Sequence, residues 1–193
     1  MRTTTACLAD ITGLETFTGD VLDTSVWDTS YVFTGKRVAV IGTDDRVIRV
    51  LPHLVGSARS VKVFQRSPVW IAPRLPWPAA PIAKNRLSRR LLARVHLRLS
   101  VADPWMRRRL TPTQSGSVAP RHTTSRYYPA LQAENCTLVT WPVYAVTEQG
   151  VRTAEGIEHR ADCIVLATGG VPAADQLGRA RPRQPRATAK ETA

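Results

Sequence analysis

The sequence predicts an α/β fold: an incomplete Rossmann-type, doubly wound sheet with a small β-meander. Three observations carry this reading. Arg37-Val-Ala-Val-Ile41 is a short apolar strand pattern that runs through Gly42 into a helical pattern. Val61-Lys-Val-Phe-Gln65 follows as a second strand, completing the strand–helix–strand unit that opens a parallel sheet. Asp162-Cys-Ile-Val-Leu-Ala167, ending in Thr168-Gly169-Gly170, is a continuous apolar run, the pattern of a parallel strand covered on both faces.

Taken in chain order, residues 1–34 are rich in Thr, Asp and Gly and read as an irregular lead-in. The strand at 37–41 opens the main domain, assigned to residues 35–170. The helix after it draws its apolar side from Val47, Ile48, Val50, Leu51, Leu54 and Val55, and Gly56-Ser57 closes it. Pro52 is expected to bend or interrupt this helix, because its nitrogen carries no hydrogen. A Pro- and Trp-rich loop runs from Ser67 to Pro81. A basic helical insertion follows at about 82–110: Leu87, Leu91, Val95 and Leu99 line up at four-residue spacing beside Leu92, with Lys84, Arg86, Arg89, Arg90, Arg94 and Arg98 on other faces and Arg107-Arg108-Arg109 beyond. Residues 111–126 read as loop. From Thr137 the pattern turns to β, with Thr137–Thr140, Val143–Val146, a turn at Gly150 and Val151–Thr153. The Arg/Pro/Ala-rich segment 171–193 has no apolar periodicity and reads as a disordered basic tail.

A length of 193 residues suits one domain, and 43% hydrophobic residues suffice for a core. The net charge of +12 favours contact with anions such as nucleotide phosphates, nucleic acid or acidic lipid. Cys7, Cys136 and Cys163 have no metal-ligand spacing; their odd number fits reduced thiols in the cytoplasm. The N-terminal residues contain no long apolar run, so neither a signal peptide nor a membrane span is expected.

The turn after the first strand is where a dinucleotide-binding protein carries G-x-G-x-x-G. Gly42 occupies the first position, but Asp44 stands at the second and Val47 at the third. The second glycine normally lets backbone N–H groups approach a pyrophosphate closely, and the third permits tight helix–strand packing. A carboxylate about 4 Å from a phosphate charge is repelled by about 1–4 kcal/mol, depending on the effective dielectric. Asp44 or Asp45 equally suits the role of helix N-cap, so structural capping and nucleotide binding compete for the same N–H groups.

Several segments together resemble the flavin-containing and Baeyer–Villiger monooxygenases. Phe17-Thr-Gly19-Asp-Val-Leu-Asp23-Thr-Ser-Val-Trp27-Asp28 is similar to their fingerprint F-x-G-x-x-x-H-x-x-x-W-[PD]. Gly35-Lys-Arg-Val-Ala-Val-Ile-Gly42 resembles the entry to their NADPH site, and Val63-Phe-Gln-Arg66-Ser-Pro-Val-Trp70 the strand whose arginine meets the NADP 2′-phosphate. Tyr127-Tyr128-Pro-Ala-Leu and Asp162–Gly169 are also family-like, so the likeness runs from about residue 10 to 170.

The resemblance implies an FAD- and NADPH-dependent oxygen insertion into a ketone or heteroatom. It assigns cofactor contacts to Gly42, Thr43, Gln65, Arg66, Ser67, Thr168 and Gly169, with Arg66 suited to a 2′-phosphate. Asp23 stands where the family has the fingerprint histidine that couples domain movement to catalysis. Arg121 is the nearest match to the arginine that stabilises the flavin peroxide. The family's FAD-binding Rossmann unit and its C-terminal segments have no counterpart in these residues. The chain is therefore expected to be an NADPH-domain portion of such an enzyme, inactive alone, with a partner chain as one source of the missing FAD domain. No metal site is expected. Two other readings stay open: a non-catalytic NADP-binding or interaction module, and a basic polyanion-binding protein, although no nucleic-acid motif supports the latter. For the basic helix, partner packing or a solvated face stands beside nucleic-acid or membrane binding.

Overall fold

Strand alternation builds the molecule in three layers. The computed structural model describes residues 11–24, 27, 30–43, 45–65, 67–73, 86–112, 122–123 and 126–167. Five parallel strands form the central sheet: β1 (Asp20–Asp23), β2 (Arg37–Ile41), β3 (Ser60–Phe64), β6 (Cys136–Val139) and β10 (Cys163–Leu166), in the order β1-β10-β2-β3-β6. Between them in the chain lie α1 (Asp45–Ser57), β4 (Ile71–Ala72), α2 (Arg86–Ser100), α3 (Pro104–Leu110), β5 (His122–Thr123) and α4 (Tyr127–Leu131). β7 (Val143–Thr147), β8 (Gly150–Thr153) and β9 (Glu158–Arg160) form a separate antiparallel meander.

Successive side chains of a strand point to opposite faces. On one face Val38 and Val40 of β2, Val61 and Val63 of β3, and Cys163 and Val165 of β10 pack against Val47, Ile48, Leu51 and Leu54 of α1 and against α2 and α4. On the other, Ala39, Ile41, Ile164 and Leu166 pack against Val143, Val146 and Val151 of the meander. Covering on both faces explains why β2 and β10 read as unbroken apolar runs.

The structure departs from the sequence reading at several points. The lead-in is not wholly irregular: β1 lies within it and pairs with β10 at the sheet edge, after a 3-10 turn at Leu14–Thr16. The segment read as loop at 111–126 contains β5, which pairs with β4, and the β pattern at Thr137 belongs to the parallel sheet as β6. Helix α1 runs through Pro52 to Ser57, held by the packing of Leu51 and Leu54. Val47 does not loosen the helix–strand contact; it is buried there and fills it.

The largest difference concerns α2. The line Leu87, Leu91, Val95 and Leu99 is exposed. The helix instead buries Ala93 and Leu97, with Val101 just past its end. Two apolar stripes compete on this helix, and the narrower one wins because Trp70 and Ile71 of the β4 segment are packed in the same core.

Candidate functional site

Because all five central strands are parallel, their C-terminal ends lie on one edge. Their registers align: Asp23 pairs with Leu166, Leu166 with Ile41, Ile41 with Phe64 and Phe64 with Val139. From β2 the chain proceeds through α1 to β3 on one side, while β10 arrives on the other side from far downstream. This reversal of strand order is the switch point at which open α/β sheets bind ligands.

The edge gathers several residues singled out in the sequence. Gly42 ends β2 with φ of 95°, a conformation that side chains with a Cβ disfavour, and its N–H donates to Phe64 O at 3.0 Å. Gln65 N–H donates to Val139 O at 2.9 Å and Ala167 N–H to Ile41 O at 2.9 Å, so the ladder extends one residue past the strands. Asp23 closes β1 on the same edge. Helix α1 starts at Asp45, close behind Gly42, so its N-terminal end faces this edge.

Gln65 is only 4% exposed, and both ends of its amide are engaged inside the protein. Its Nε2 donates to Ser67 O at 3.3 Å, and its Oε1 accepts from the Tyr127 hydroxyl at 3.4 Å. Gln65 therefore shapes the β3 turn, while Ser67 is exposed beyond it. Tyr127 is the residue that the sequence reading left out of the site. The Tyr127-Tyr128 pair was the available signal, but only the fold brings the phenol to Gln65. Burial pushes both phenols well above their ordinary values, so they stay neutral near pH 7.

Thr43 Oγ1 is shut off from solvent and has no hydrogen-bond partner of ordinary geometry, although the Tyr127 phenol is its neighbour. An orphaned hydroxyl beside a positive-φ glycine at a switch point fits a nucleotide-phosphate turn. Arg66, Arg121, Thr168 and Gly169, like Asp44, lie outside the described residues. Among the described residues no cluster of His, Cys, Asp and Glu could hold a metal. No helix among them is long and apolar enough to cross a membrane.

The opposite edge is occupied by ion pairs. Asp162 accepts from Arg37 N–H at 2.7 Å and from Arg37 Nε at 3.0 Å, and the Arg37 side chain holds its carboxyl down to about 2. Lys36 Nζ donates to Asp20 at 2.8 Å and to the Tyr31 hydroxyl at 2.6 Å. These contacts tie β1, β2 and β10 together at the end remote from the switch point. Burial pushes the Cys163 thiol up to about 11 and the Cys136 thiol up to about 12, so neither is a thiolate nucleophile near neutral pH.

No family model matches the chain. It is 30% identical over 190 residues to a Baeyer–Villiger monooxygenase of Pseudomonas aeruginosa, covering 81% of this chain and 36% of that protein. A Baeyer–Villiger monooxygenase of Streptomyces coelicolor is 30% identical over 194 residues, 83% of this chain and 37% of the relative. Among solved structures, an oxidized steroid monooxygenase bound to NADP superposes with a TM-score of 0.69 at 26% identity, covering 87% of this chain and 44% of the other. The OTEMO complex with FAD and NADP gives a TM-score of 0.73 at 23% identity, covering 90% and 47%, which shows the shared fold. The chain thus spans less than half the length of the relatives it matches.

Proposed function

We propose that this chain, a partial member of the Baeyer–Villiger, FAD-binding monooxygenase family, is the part which binds NADPH. The observation that carries this is the switch-point edge, where Gly42 turns at positive φ in front of α1 and the unpartnered Thr43 hydroxyl sits beside it. In this reading Gly42 lets the backbone approach the nucleotide phosphates and Thr43 donates its hydroxyl to them. Gln65, locked by Tyr127, holds the turn that carries Arg66 and Ser67, and Arg66 pairs with the 2′-phosphate. Thr168 and Gly169, which follow β10 in the chain, are the remaining residues proposed to contact the cofactor. Asp23, at the end of β1, occupies the position of the family's linker histidine, and a carboxylate there cannot act as an imidazole does.

In complete relatives the flavin, when bound, supplies the oxygen-transfer chemistry and NADPH the hydride. The described residues include one five-stranded parallel sheet, and in this reading the C-terminal edge of that sheet holds and orients NADPH. Oxygen insertion into a ketone or heteroatom belongs to a protein that also holds the flavin. Arg121 is the residue proposed to serve that step. The comparisons give a separate partner chain no support.

Titration of NADPH against the wild-type chain and Arg66→Ala tests the binding role. The variant is expected to bind roughly 10- to 100-fold more weakly, the effect of one charge-assisted phosphate contact. Equal binding by both proteins removes Arg66 from the site. Mixed with FAD, NADPH and a panel of ketones, the 193 residues by themselves are expected to give no oxygenated product. Flavin-dependent product formation overturns the division of labour proposed here.

A further inference from the structure

A second basic site shares no residue with the nucleotide edge. Helices α2 and α3 of the insertion pack against each other, with α2 beside the β4 segment. Between them is an open-sided pocket of about 490 Å³ lined by Trp70, Arg94, Arg98, Arg107, Arg108 and Thr111. Arg94 and Arg98 are one helical turn apart on α2, so both project from the same side. Arg107 and Arg108 come from α3, whose start is fixed by Asp103 accepting from Trp105 N–H at 3.0 Å and Met106 N–H at 3.1 Å. Among the described residues no carboxylate lines the pocket, whereas four arginines do.

Two further observations point to a ligand. Trp70 is 4% exposed, yet its indole Nε1–H, a donor with no acceptor capacity, has no partner. The Arg107 Nε is likewise buried and unpartnered; its terminal nitrogen reaches only Ala102 O at 3.3 Å. Unsatisfied buried donors are rare in native structures, and both here belong to residues lining the same pocket. The Arg94 guanidinium lies 5.7 Å from the Trp70 ring centroid, which pre-orients it.

We infer that this pocket binds a compact, multiply charged oligophosphate anion of di- or triphosphate type. Planar guanidinium forks match phosphate oxygens in pairs, and four of them neutralise the charge of such a group. The volume lies within the range of small-ligand pockets, and the net charge of +12 raises the local anion concentration. A nucleic acid strand would need a groove that tracks a backbone, whereas the basic residues here converge from two helices on one cavity.

The test is calorimetric titration of the full chain with inorganic tripolyphosphate at 150 mM salt. The wild type is expected to show saturable binding at one site. Arg94→Gln/Arg98→Gln is expected to weaken it roughly 100-fold, with Arg108→Gln alone giving roughly tenfold. Arg59→Gln/Arg160→Gln removes the same charge at exposed positions outside the pocket and is expected to leave binding intact. Arg66→Ala is also expected to leave it intact, which separates this site from the NADPH edge. Equal losses in the two double variants would show a net-charge effect and overturn the inference. Loss on Arg66→Ala, or no saturable binding in the wild type, overturns it as well.

Discussion

Replacing Gly42 with alanine tests the backbone geometry on which the nucleotide edge rests. Gly42 has φ of 95°, and an L-residue in left-handed backbone costs about 1–2 kcal/mol. If the turn relaxes to relieve that strain, the Gly42 N–H to Phe64 O bond at 3.0 Å weakens, adding up to about 1 kcal/mol. The total is about 1–3 kcal/mol. For a chain of this size each kcal/mol moves the melting temperature by roughly 2–4 °C, so Gly42→Ala should melt about 2–12 °C lower. Gly56 provides the opposite sign. It lies inside α1, outside the positive-φ region, and a Cβ built there meets nothing within 4 Å. Gly56→Ala should stabilise by about 0.4–1 kcal/mol, a rise of roughly 1–4 °C. Thermal unfolding of the three proteins side by side decides the matter. A Gly42→Ala protein that melts with the wild type, or a Gly56→Ala protein that melts below it, refutes the reasoning.

The α2 helix offers a second contrast. Leu97→Ala should cost about 2–5 kcal/mol in urea unfolding because Leu97 is buried, whereas Leu91→Ala, 63% exposed, should stay within about 0.5 kcal/mol; the reverse order would mean that the helix packs on its other face. Acid unfolding reads the Arg37–Asp162 pair. The folded Asp162 carboxyl lies at about 2, below its ordinary 3.8, so its stabilisation is complete above the higher value and is lost as pH falls through the lower one. Both groups are more than a third exposed, so the effect is modest. The urea midpoint of the wild type should fall more steeply between pH 4 and 2 than that of Asp162→Asn, and parallel slopes would remove the pair from the acid response.

Much of the fold was legible from residue pattern. The strand Arg37–Ile41 agrees at both ends, and β3 and β10 agree within a residue or so. Each is a compact apolar run whose identity does not depend on its neighbours. β1 was missed because Asp20-Val-Leu-Asp23 is short and flanked by acids; it is a strand because β10, far downstream, offers it an edge. Within the site, Gly42 was legible as a turn glycine, but the burial of Gln65 and its bond to Tyr127 were not. No local rule links Gln65, just past β3, with Tyr127 of α4, 62 residues downstream.

Composition and spacing alone determined that this chain is α/β, that a glycine turn follows the strand Arg37–Ile41, and that Asp44 and Val47 stand at the second and third positions of a G-x-G-x-x-G pattern there. Those properties are local: they follow from backbone torsions and from the period of apolar residues. Tertiary structure decided which stripe of α2 is buried, that the lead-in supplies an edge strand, and that arginines from two helices surround a buried tryptophan. Such choices turn on competition between surfaces, and only the assembled layers determine which surface finds a partner.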